Sequence, residues 1–463
     1  MGNKKFRMRF VKNTALLVFL SVVAQFAQAQ IVDSYYKNIQ PYDNSAISRL
    51  GFGNLLSQYF ANTVGSAGMT AAARDIYNFN PYNPASLPGL RTTAFEIGLS
   101  ARNNTEKDIT GASSSATSGN LSYVGLGFPT YSVINEILDR KPRDWRWGFG
   151  LSLTPFNQVG YNVAQTVAAP NTDSVTIANF YVGSGGTYKA FISNGVEYKN
   201  FSLGVNVGLL FGKTSFIRQT VLSDSLISPY DNYFIDDYSM TGFVYSIGAQ
   251  YDIILEDKKL GGIQVGKKRL VLGVYGNPST SFSTSSSQFY RRLVNGFRSD
   301  TLANNIDIKG SGKLPSELTA GFQFKNGYNF QIGGEVKYSA WSQYQNDARP
   351  DNTLKNSIQY SLGTEFILDK NRLKSDEEKV RYSLGTRLGT DPRTLNGEQF
   401  NSLVFTGGFC FPIRVGRGQQ LSFLNLGLEY GKLSTAVLTE SYFKATLGFT
   451  LNDNTWFLKR KYN

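Results

Sequence analysis

The chain has 463 residues and an excess of basic over acidic residues, and it contains no histidine and a single cysteine, Cys410. These absences exclude a Ser-His-acid triad, a His-ligated zinc site and an intrachain disulfide. Aromatic residues make up 14% of the sequence and glycine occurs 46 times, which is typical of membrane strands that face lipid on one side and water on the other, with a soluble all-β secreted protein as the alternative.

The first 29 residues have the pattern of a secretory signal peptide. Five basic residues, the last of them Lys12, precede an apolar stretch from Ala15 to Phe26, and small residues follow at Ala27 and Ala29. This order predicts export and cleavage after Ala29. The alternative is a membrane anchor, but a spanning helix needs about 20 apolar residues, more than this stretch supplies.

Cleavage would leave a mildly basic mature chain. It removes five of the 47 basic residues and no acidic one, so 42 basic residues remain against 34 acidic ones and the net charge is +8. This excess suits an acidic surface such as lipopolysaccharide, and it suits an evenly solvated surface equally well.

Residues 30–92 do not alternate and are predicted to form a plug, or hatch, inside a barrel. Ile47–Tyr59 is apolar at roughly helical spacing, and the following small residues, with Gly65 and Gly68, allow backbones to pack closely. Asn83 and Pro84 belong to a turn or loop. These two and the two glycines are therefore the candidate hatch or gating residues. The alternative for the whole segment is a periplasmic extension.

Residues 93–463 are dominated by the alternation of apolar and polar residues that strands produce. One strand has Trp145, Trp147, Leu151 and Leu153 on a single face, with Arg146 on the other. Segments of this kind recur to the end of the chain. They predict an all-β fold, a transmembrane antiparallel β-barrel of about 14 strands, each about 10 residues long.

Connection lengths predict how this barrel is oriented. The tightest connections, Lys199-Asn200 and Asn326-Gly327, join strands 4 to 5 and 8 to 9 by this count. With the N-terminus in the periplasm, both are periplasmic turns, which are short in such barrels. Long external loops are predicted near 157–188, 213–240 and 279–314.

Two prolines are candidate positions for a lateral opening in the barrel wall, because proline cannot donate to a strand ladder. Pro129 lies on the second predicted strand and Pro155 at the end of the third. The alternative is that each proline simply ends a strand at the rim.

Charged residues on the polar strand faces, such as Glu96, Glu335, Arg387 and Glu429, are predicted to point into the lumen and pair there. No nucleophile-and-base pair stands out among them. We therefore predict no enzyme activity, no catalytic residue, no metal site and no cofactor.

Several motifs, taken in order, resemble the long-chain fatty-acid transporter (FadL-type) family. They are Asn83-Pro84-Ala85-Ser86-Leu87, Lys313-Leu314-Pro315-Ser316-Glu317, Tyr338–Tyr344, and the ending Leu447–Leu451 with Trp456–Tyr462, which resembles members from the Bacteroidetes lineage. The family usually has Met-Gly-Gly in its hatch, where this sequence reads Ala67-Gly68-Met69. The resemblance implies a 14-stranded barrel with an N-terminal plug in a bacterial outer membrane.

The resemblance also implies passive uptake of hydrophobic small molecules, released sideways through the wall or past the hatch. The alternative is a non-transporting barrel subunit of an outer-membrane secretion or assembly complex, with the loop Tyr230–Tyr238 as a docking surface. The partners expected are outer-membrane lipid and lipopolysaccharide, a hydrophobic small molecule and outer-membrane proteins, but no nucleic acid.

Overall fold

The fold is known from a computed structural model. It describes residues 45–56, 58–130, 144–169, 172–222, 230–260, 263–294, 297–327, 329–349, 354–369, 371, 375–415 and 420–453. The predicted signal peptide, residues 1–29, and the final motif Trp456–Tyr462 lie outside these ranges.

The described strands form one antiparallel sheet that closes on itself where the last strand pairs with the first strand of the wall. In chain order the strands are β1 (Asn54–Leu55), β2 (Thr93–Asp108), β3 (Ser113–Pro129), β4 (Trp145–Gln158), β5 (Tyr161–Ala169), β6 (Thr172–Tyr198), β7 (Phe201–Leu222), β8 (Tyr230–Leu260), β9 (Ile263–Asn277), β10 (Ser281–Val294), β11 (Phe297–Lys313), β12 (Glu317–Asn326), β13 (Phe330–Ser339), β14 (Gln345–Asn346), β15 (Ser357–Ile367), β16 (Arg381–Leu395), β17 (Glu398–Val415), β18 (Gln420–Ser434) and β19 (Leu438–Asp453).

Helical structure is sparse in the described ranges. It consists of one α-helix, α1 (Ala61–Val64), and the 3-10 turns Ala46–Arg49, Pro84–Gly89, Trp341–Gln343 and Asp376–Glu378. No helix in the part of the chain that the structure describes is long and apolar enough to cross a membrane.

Fourteen strands make up the wall, because four of them are interrupted. The pair β4 and β5 runs along β6, and the pair β9 and β10 runs along β8. In the same way β11 continues into β12, and β13 into β14. The predicted strand number is confirmed. Large apolar side chains on the outward faces, such as Trp145 and Leu203, are exposed as a lipid-facing surface requires.

The two ends of the barrel differ. We call the end with the tight turn at Lys199-Asn200 the turn end, and the opposite end the tall end. The turn that begins at Asn326 lies at the turn end too, where the Asn329 N–H donates to the Asn326 carbonyl. Both tight turns therefore lie at one end, as their even-numbered positions predict.

The predictions of long external loops at 157–188, 213–240 and 279–314 are wrong. Those residues lie mostly in β5 to β8, β10 and β11, and the interruptions at the tall end are short. The strands reach 31 residues in β8, far more than the expected 10, and the predicted docking loop Tyr230–Tyr238 is part of β8. Beyond the lipid both faces of a strand meet water, so alternation disappears although Thr, Tyr and Val still favour extended backbone.

The wall is incompletely paired at the tall end. β3 pairs with β4 only from Pro129 opposite Gly148 up to Val124 opposite Leu153. Above that point, within the described residues, no ladder joins 113–123 of β3 to β5, whose ladder is with β6. We call this unpaired stretch between β3 and the strands β4 and β5 the seam.

Candidate functional site

Residues 45–92, which we call the N-terminal segment, run along the lumen from the tall end to the turn end. At the tall end the Ser45 N–H donates to the Gly160 carbonyl at 2.7 Å, and the Ala46 N–H donates to Glu106 Oε1 at 2.6 Å. The prediction placed the N-terminus at the turn end, but the first described residue lies at the tall end. The even-numbered connections still lie at the turn end, because β2 begins there at Thr93.

The lower half of this segment is packed against the wall. Phe60 stacks on Tyr123 of β3 with ring centroids 3.7 Å apart, and Phe79 and Leu87 are fully buried in the same cluster. Such packing leaves aromatic surface out of contact with water. The segment is therefore packed tightly against the inner face of the wall at these residues.

Carboxylates of the wall satisfy backbone groups of the segment. Glu335 Oε2 accepts from the N–H groups of Thr70 and Ala71 at 2.7 and 2.6 Å, and Glu96 Oε1 accepts from the Phe79 N–H. Irregular backbone buried away from water needs such partners. These inward charges thus bind the segment, whereas the sequence predicts only that they pair with other charges.

Other inward charges do form ion pairs. Glu429, almost fully buried, lies 2.8 Å from Arg387 Nη2 and 3.3 Å from Lys444 Nζ, and it also accepts from the hydroxyl of Tyr59 in the segment. This cluster links β16, β18 and β19 to the segment. A buried charge cluster of this kind is costly to leave half-paired.

Asp75 makes a further link between the segment and the wall. Its carboxylate lies 3.3 Å from Arg381 Nη1. Burial alone would raise the pKa of Asp75, but Arg381, a backbone hydrogen bond from Tyr77 and the charge of Lys325 together hold that pKa below its ordinary value. Asp75 is therefore ionised at neutral pH.

The four candidate hatch residues all lie in this segment against the wall. The Gly65 backbone meets that of Gly408 in β17, and Gly68 has a φ of +68°, which favours glycine. The Asn83 side chain donates to the Ala71 carbonyl at 2.6 Å, and Pro84 lies against β6 and β7. The four residues thus lie along one interface between the N-terminal segment and the wall, but they do not form one cluster.

We expect Gly65→Ala to weaken the docking of the segment. A Cβ at Gly65 would lie 2.6 Å from the Gly408 backbone, which is closer than atoms tolerate, so overpacking should cost about 1–3 kcal/mol. Limited proteolysis of the segment in the folded barrel measures this. Gly407→Ala is the matched control, because its nearest neighbour would be 3.9 Å away. Equal protease resistance in both variants would contradict the expectation.

The two candidate prolines have different settings. Pro129 ends β3 at the turn end and is paired with Gly148, as the rim alternative describes. Pro155 lies two residues beyond the last pairing of β4 with β3, at the base of the seam, and the ladder of β4 with β6 shifts register between Pro155 and Asn157. Of these two prolines, Pro155 therefore lies beside the seam and Pro129 does not.

A small cavity lies inside the wall at Pro155. Its volume is about 40 Å³, and its lining includes Tyr82, Phe156, Phe191 and Lys189. The lining is mainly apolar, but it also contains the side chains of Lys189 and Glu317. The Lys189 ammonium lies 3.5 Å from the centre of the Phe156 ring.

An aromatic cluster adjoins this cavity on the lumen side. It consists of Phe52, Phe156, Trp341 and Tyr344, and Leu210 belongs to it as well. The strand patterns in the sequence do not predict this aromatic cluster. Its signals were the Tyr338–Tyr344 motif and the break in alternation at Leu210, since an apolar residue on a polar face marks a local apolar patch in the lumen.

The N-terminal segment covers the edge of β4 in the seam. β1 pairs antiparallel with β4, with Asn54 opposite Gln158, and the Leu56 N–H donates to the Phe156 carbonyl at 3.0 Å. The opening beside Pro155 is therefore closed by residues 54–56 of the same chain.

Groups suited to metal binding are not found here: in the described ranges no three or more Cys, Asp or Glu residues come together in a way that could hold an ion. Two acidic residues of β8 have other partners, since Asp237 is paired with Lys213 and Asp236 accepts from the Tyr290 hydroxyl.

Comparison with known proteins places this architecture in a family. The profile of the BamG family matches residues 12–463, nearly the whole chain. The chain belongs to the BamG family. No curated protein sequence matches this BamG-family chain.

Solved structures share the fold of this BamG-family barrel. The toluene transporter TodX of Pseudomonas putida is 14% identical, with a TM-score of 0.52 over 89% of this chain and 99% of TodX. A FadL homologue of Pseudomonas aeruginosa is 11% identical, with a TM-score of 0.52 over 87% and 99% of the two chains. The toluene transporter TbuX of Ralstonia pickettii is 14% identical, with a TM-score of 0.50 over 86% and 99%. The predicted resemblance to FadL-type barrels is confirmed at the level of the fold.

Proposed function

We propose that this barrel is a passive channel through which hydrophobic small molecules enter the outer membrane, with residues 30–92 acting as its hatch. The observation that carries the proposal is the seam at Pro155, which lies beside an apolar cavity and an aromatic cluster in the lumen. The fold shared with two toluene transporters supports the same ligand class.

The geometry favours release sideways over release past the hatch. Below the cavity, Glu335, Glu96 and Glu429 bind the segment through buried hydrogen bonds. At the seam the contacts of residues 54–56 are the short β1 ladder, one hydrogen bond from the Leu56 N–H, and one that the Asn54 side chain accepts from Arg393. Displacing residues 54–56 breaks far fewer buried polar contacts than displacing the rest.

The cavity also defines the step that would open the route. An engineered apolar cavity of about 150 Å³ binds benzene, whereas this one measures about 40 Å³. We expect a ligand with an aromatic ring to fit only after residues 54–56 shift away from Pro155 and Phe156. The hatch would act as a gate at the seam while its lower part stays in place.

A disulfide across the gate is expected to reduce tracer uptake to background. Asn54 and Gln158 are directly opposite in the β1–β4 ladder, a spacing that suits a disulfide, and the single native cysteine, Cys410, is buried. The measurement is uptake of a hydrophobic aromatic tracer by liposomes that contain the oxidised Asn54→Cys/Gln158→Cys variant. Reduction of the disulfide should restore the rate of the unmodified barrel.

Two controls make this uptake experiment decisive. Asn401→Cys/Ser434→Cys places a disulfide between directly opposite residues of β17 and β18, away from the seam, and should leave uptake unchanged. Uptake by the unmodified barrel no faster than by empty liposomes would refute transport. Uptake that the gate disulfide leaves unchanged would refute the route through the seam.

The location in the cell is part of the proposal. Residues 1–29 are proposed to direct export and to be removed, so N-terminal sequencing of the mature protein should begin at Gln30. Assignment to a Bacteroidetes-lineage branch rests on the ending Leu447–Tyr462 and stays a prediction.

The second candidate function, a non-transporting subunit of an outer-membrane complex, is favoured by one observation. At the tall end β5, β6, β7, β8, β10 and β11 rise as a six-stranded sheet. In the described part of the chain no strand pairs with the outer edge of β5, or with β11 above its short ladder with β14. Gentle detergent extraction tests this function, because a stoichiometric protein partner supports it and a lone barrel that carries lipid refutes it.

A further inference from the structure

The two free edges of the tall sheet differ in how they are protected. A free edge presents unpaired N–H and C=O groups, and proteins usually protect it with charges, prolines or bulges. The β11 edge has such protection. Asp307 and Lys309 form an ion pair on it, Asp307 has a φ of +58°, and its ladder with β10 shifts register three times.

The β5 edge lacks this protection. Tyr161 to Ala168 contain no charged residue, no proline and no glycine, and their ladder with β6 runs without a shift as far as Ala168. Val163, Thr166 and Val167 are β-branched and favour a strand. A regular, neutral and exposed edge of this kind promotes pairing with another strand.

The direction of the backbone groups along this edge follows from the hydrogen bonds of the residues below it. The Val159 N–H donates to the Gly185 carbonyl of β6, so odd-numbered residues face β6. Gly160 faces the seam, where its carbonyl accepts from the Ser45 N–H and its N–H donates to Ser48 Oγ. Because alternate residues face alternate neighbours in an antiparallel ladder, the next groups that face the seam belong to Asn162, Ala164, Thr166 and Ala168.

The N-terminal segment already uses the lower part of the same edge. Leu56 binds the carbonyl of Phe156, Asn54 pairs with Gln158, and Ser45 binds Gly160. The N-terminal segment thus occupies the edge at residues 156 to 160. Within the described residues, which begin at Ser45, no backbone group pairs with this edge above Gly160, and the groups that face the seam there continue the same line in the same phase.

We propose that the β5 edge, Tyr161 to Ala168, is a strand-addition site for an extended, uncharged segment of a partner protein. The segment would pair with Asn162, Ala164 and Thr166 through main-chain hydrogen bonds, the mode by which an added strand binds a sheet edge. Because β3 flanks the seam on its other side, the edge suits a single extended segment better than the edge of a second barrel. The inference rests on the second candidate function and does not depend on uptake.

Crosslinking along the edge tests the site. A photo-crosslinking amino acid is placed in cells at position 162, 164 or 166, with position 304 on β11 as the matched control. Each edge position should crosslink to one partner protein, and the crosslinked partner residue should move by two when the probe moves by two. Position 304 should give none of these products.

A proline variant separates edge pairing from side-chain contact. The Ala164 N–H faces away from β6, so Ala164→Pro removes a donor to the seam and leaves the β6 ladder intact. Partner crosslinks from 162 and 166 should fall at least about tenfold, a loss of about 1.4 kcal/mol in pairing, and Ala164→Ser should keep them. Ala164→Lys, which adds the charge that natural edges use, replaces the proline variant if the latter does not fold.

Several results would overturn the strand-addition site. They are the absence of crosslinks, crosslinks only to the residues before Ser45 or to a second copy, partner positions that do not follow the probe, and crosslinks that Ala164→Pro and Ala164→Lys leave unchanged. A partner that still copurifies with these variants would preserve the subunit function and refute only this site.

Discussion

Glu335→Ala is expected to release the N-terminal segment from the wall while the barrel stays folded. The buried Glu335 carboxylate accepts two backbone hydrogen bonds, from Thr70 and Ala71. Its removal leaves two buried N–H groups without acceptors, at a cost of about 2–6 kcal/mol to docking. The strand ladders of β13 do not involve the side chain, so the wall should keep its resistance to unfolding by detergent at room temperature.

Two measurements check this expectation. The segment should become sensitive to protease in the folded variant, and ion conductance through single barrels in planar bilayers should rise because the lumen is no longer filled. Glu335→Gln keeps one acceptor oxygen and should lie between the alanine variant and the unmodified protein.

A surface carboxylate gives the matched control for Glu335. Glu398 also accepts a backbone N–H, from Ala436, but it is exposed at the tall end. Glu398→Ala should therefore change stability by no more than about 0.5 kcal/mol. If the segment of the Glu335→Ala barrel stays as protected as that of the Glu398→Ala barrel, the carboxylate does not hold the segment.

Arg387→Ala is expected to destabilise the whole barrel as well as the segment. It leaves the buried Glu429 with Lys444 at 3.3 Å as its remaining cation, and removing one partner of a buried pair costs about 3–5 kcal/mol. Urea unfolding in detergent, followed by tryptophan fluorescence, measures the loss.

The double variant Arg387→Ala/Glu429→Ala identifies the cause of that loss. Removing both charges leaves no uncompensated carboxylate, so the double variant should be more stable than Arg387→Ala alone. A double variant that is less stable by the sum of both single losses would show that the two side chains act independently.

Period-two alternation predicted the wall because lipid and lumen impose opposite demands on neighbouring residues. Trp145, Leu151 and Leu203 are exposed on the outward face as the pattern requires. Where the wall leaves the lipid this demand ends, so β5 and the outer parts of β6 to β8 have no alternation to recognise. Their high content of Thr, Tyr and Val favours strands, but without alternation the sequence predicts loops there.

Partners distant in sequence were beyond the reach of local patterns. The inward position of Glu335 was predicted from its strand, but its acceptance of hydrogen bonds from Thr70 and Ala71 depends on how an irregular segment crosses the lumen. The seam also depends on distant partners. Pro155 predicts a break in the wall, but the length of the seam depends on which residues of β3 pair with β4. The sequence therefore predicts where the break lies but does not predict how long it is.

The route of the N-terminal segment constrains the order in which the molecule can assemble. Ser45 binds Glu440 across a separation of 395 residues, and Thr70 binds Glu335 across 265. The earliest part of the chain is thus held by strands synthesised late, and the ladder of β19 with β2 closes around it. Contacts so far apart form slowly because long loops must close first. The segment must be in place before this last ladder forms, or it must thread into a finished cylinder, so closure of the β2–β19 ladder is the step that either encloses the segment or shuts it out.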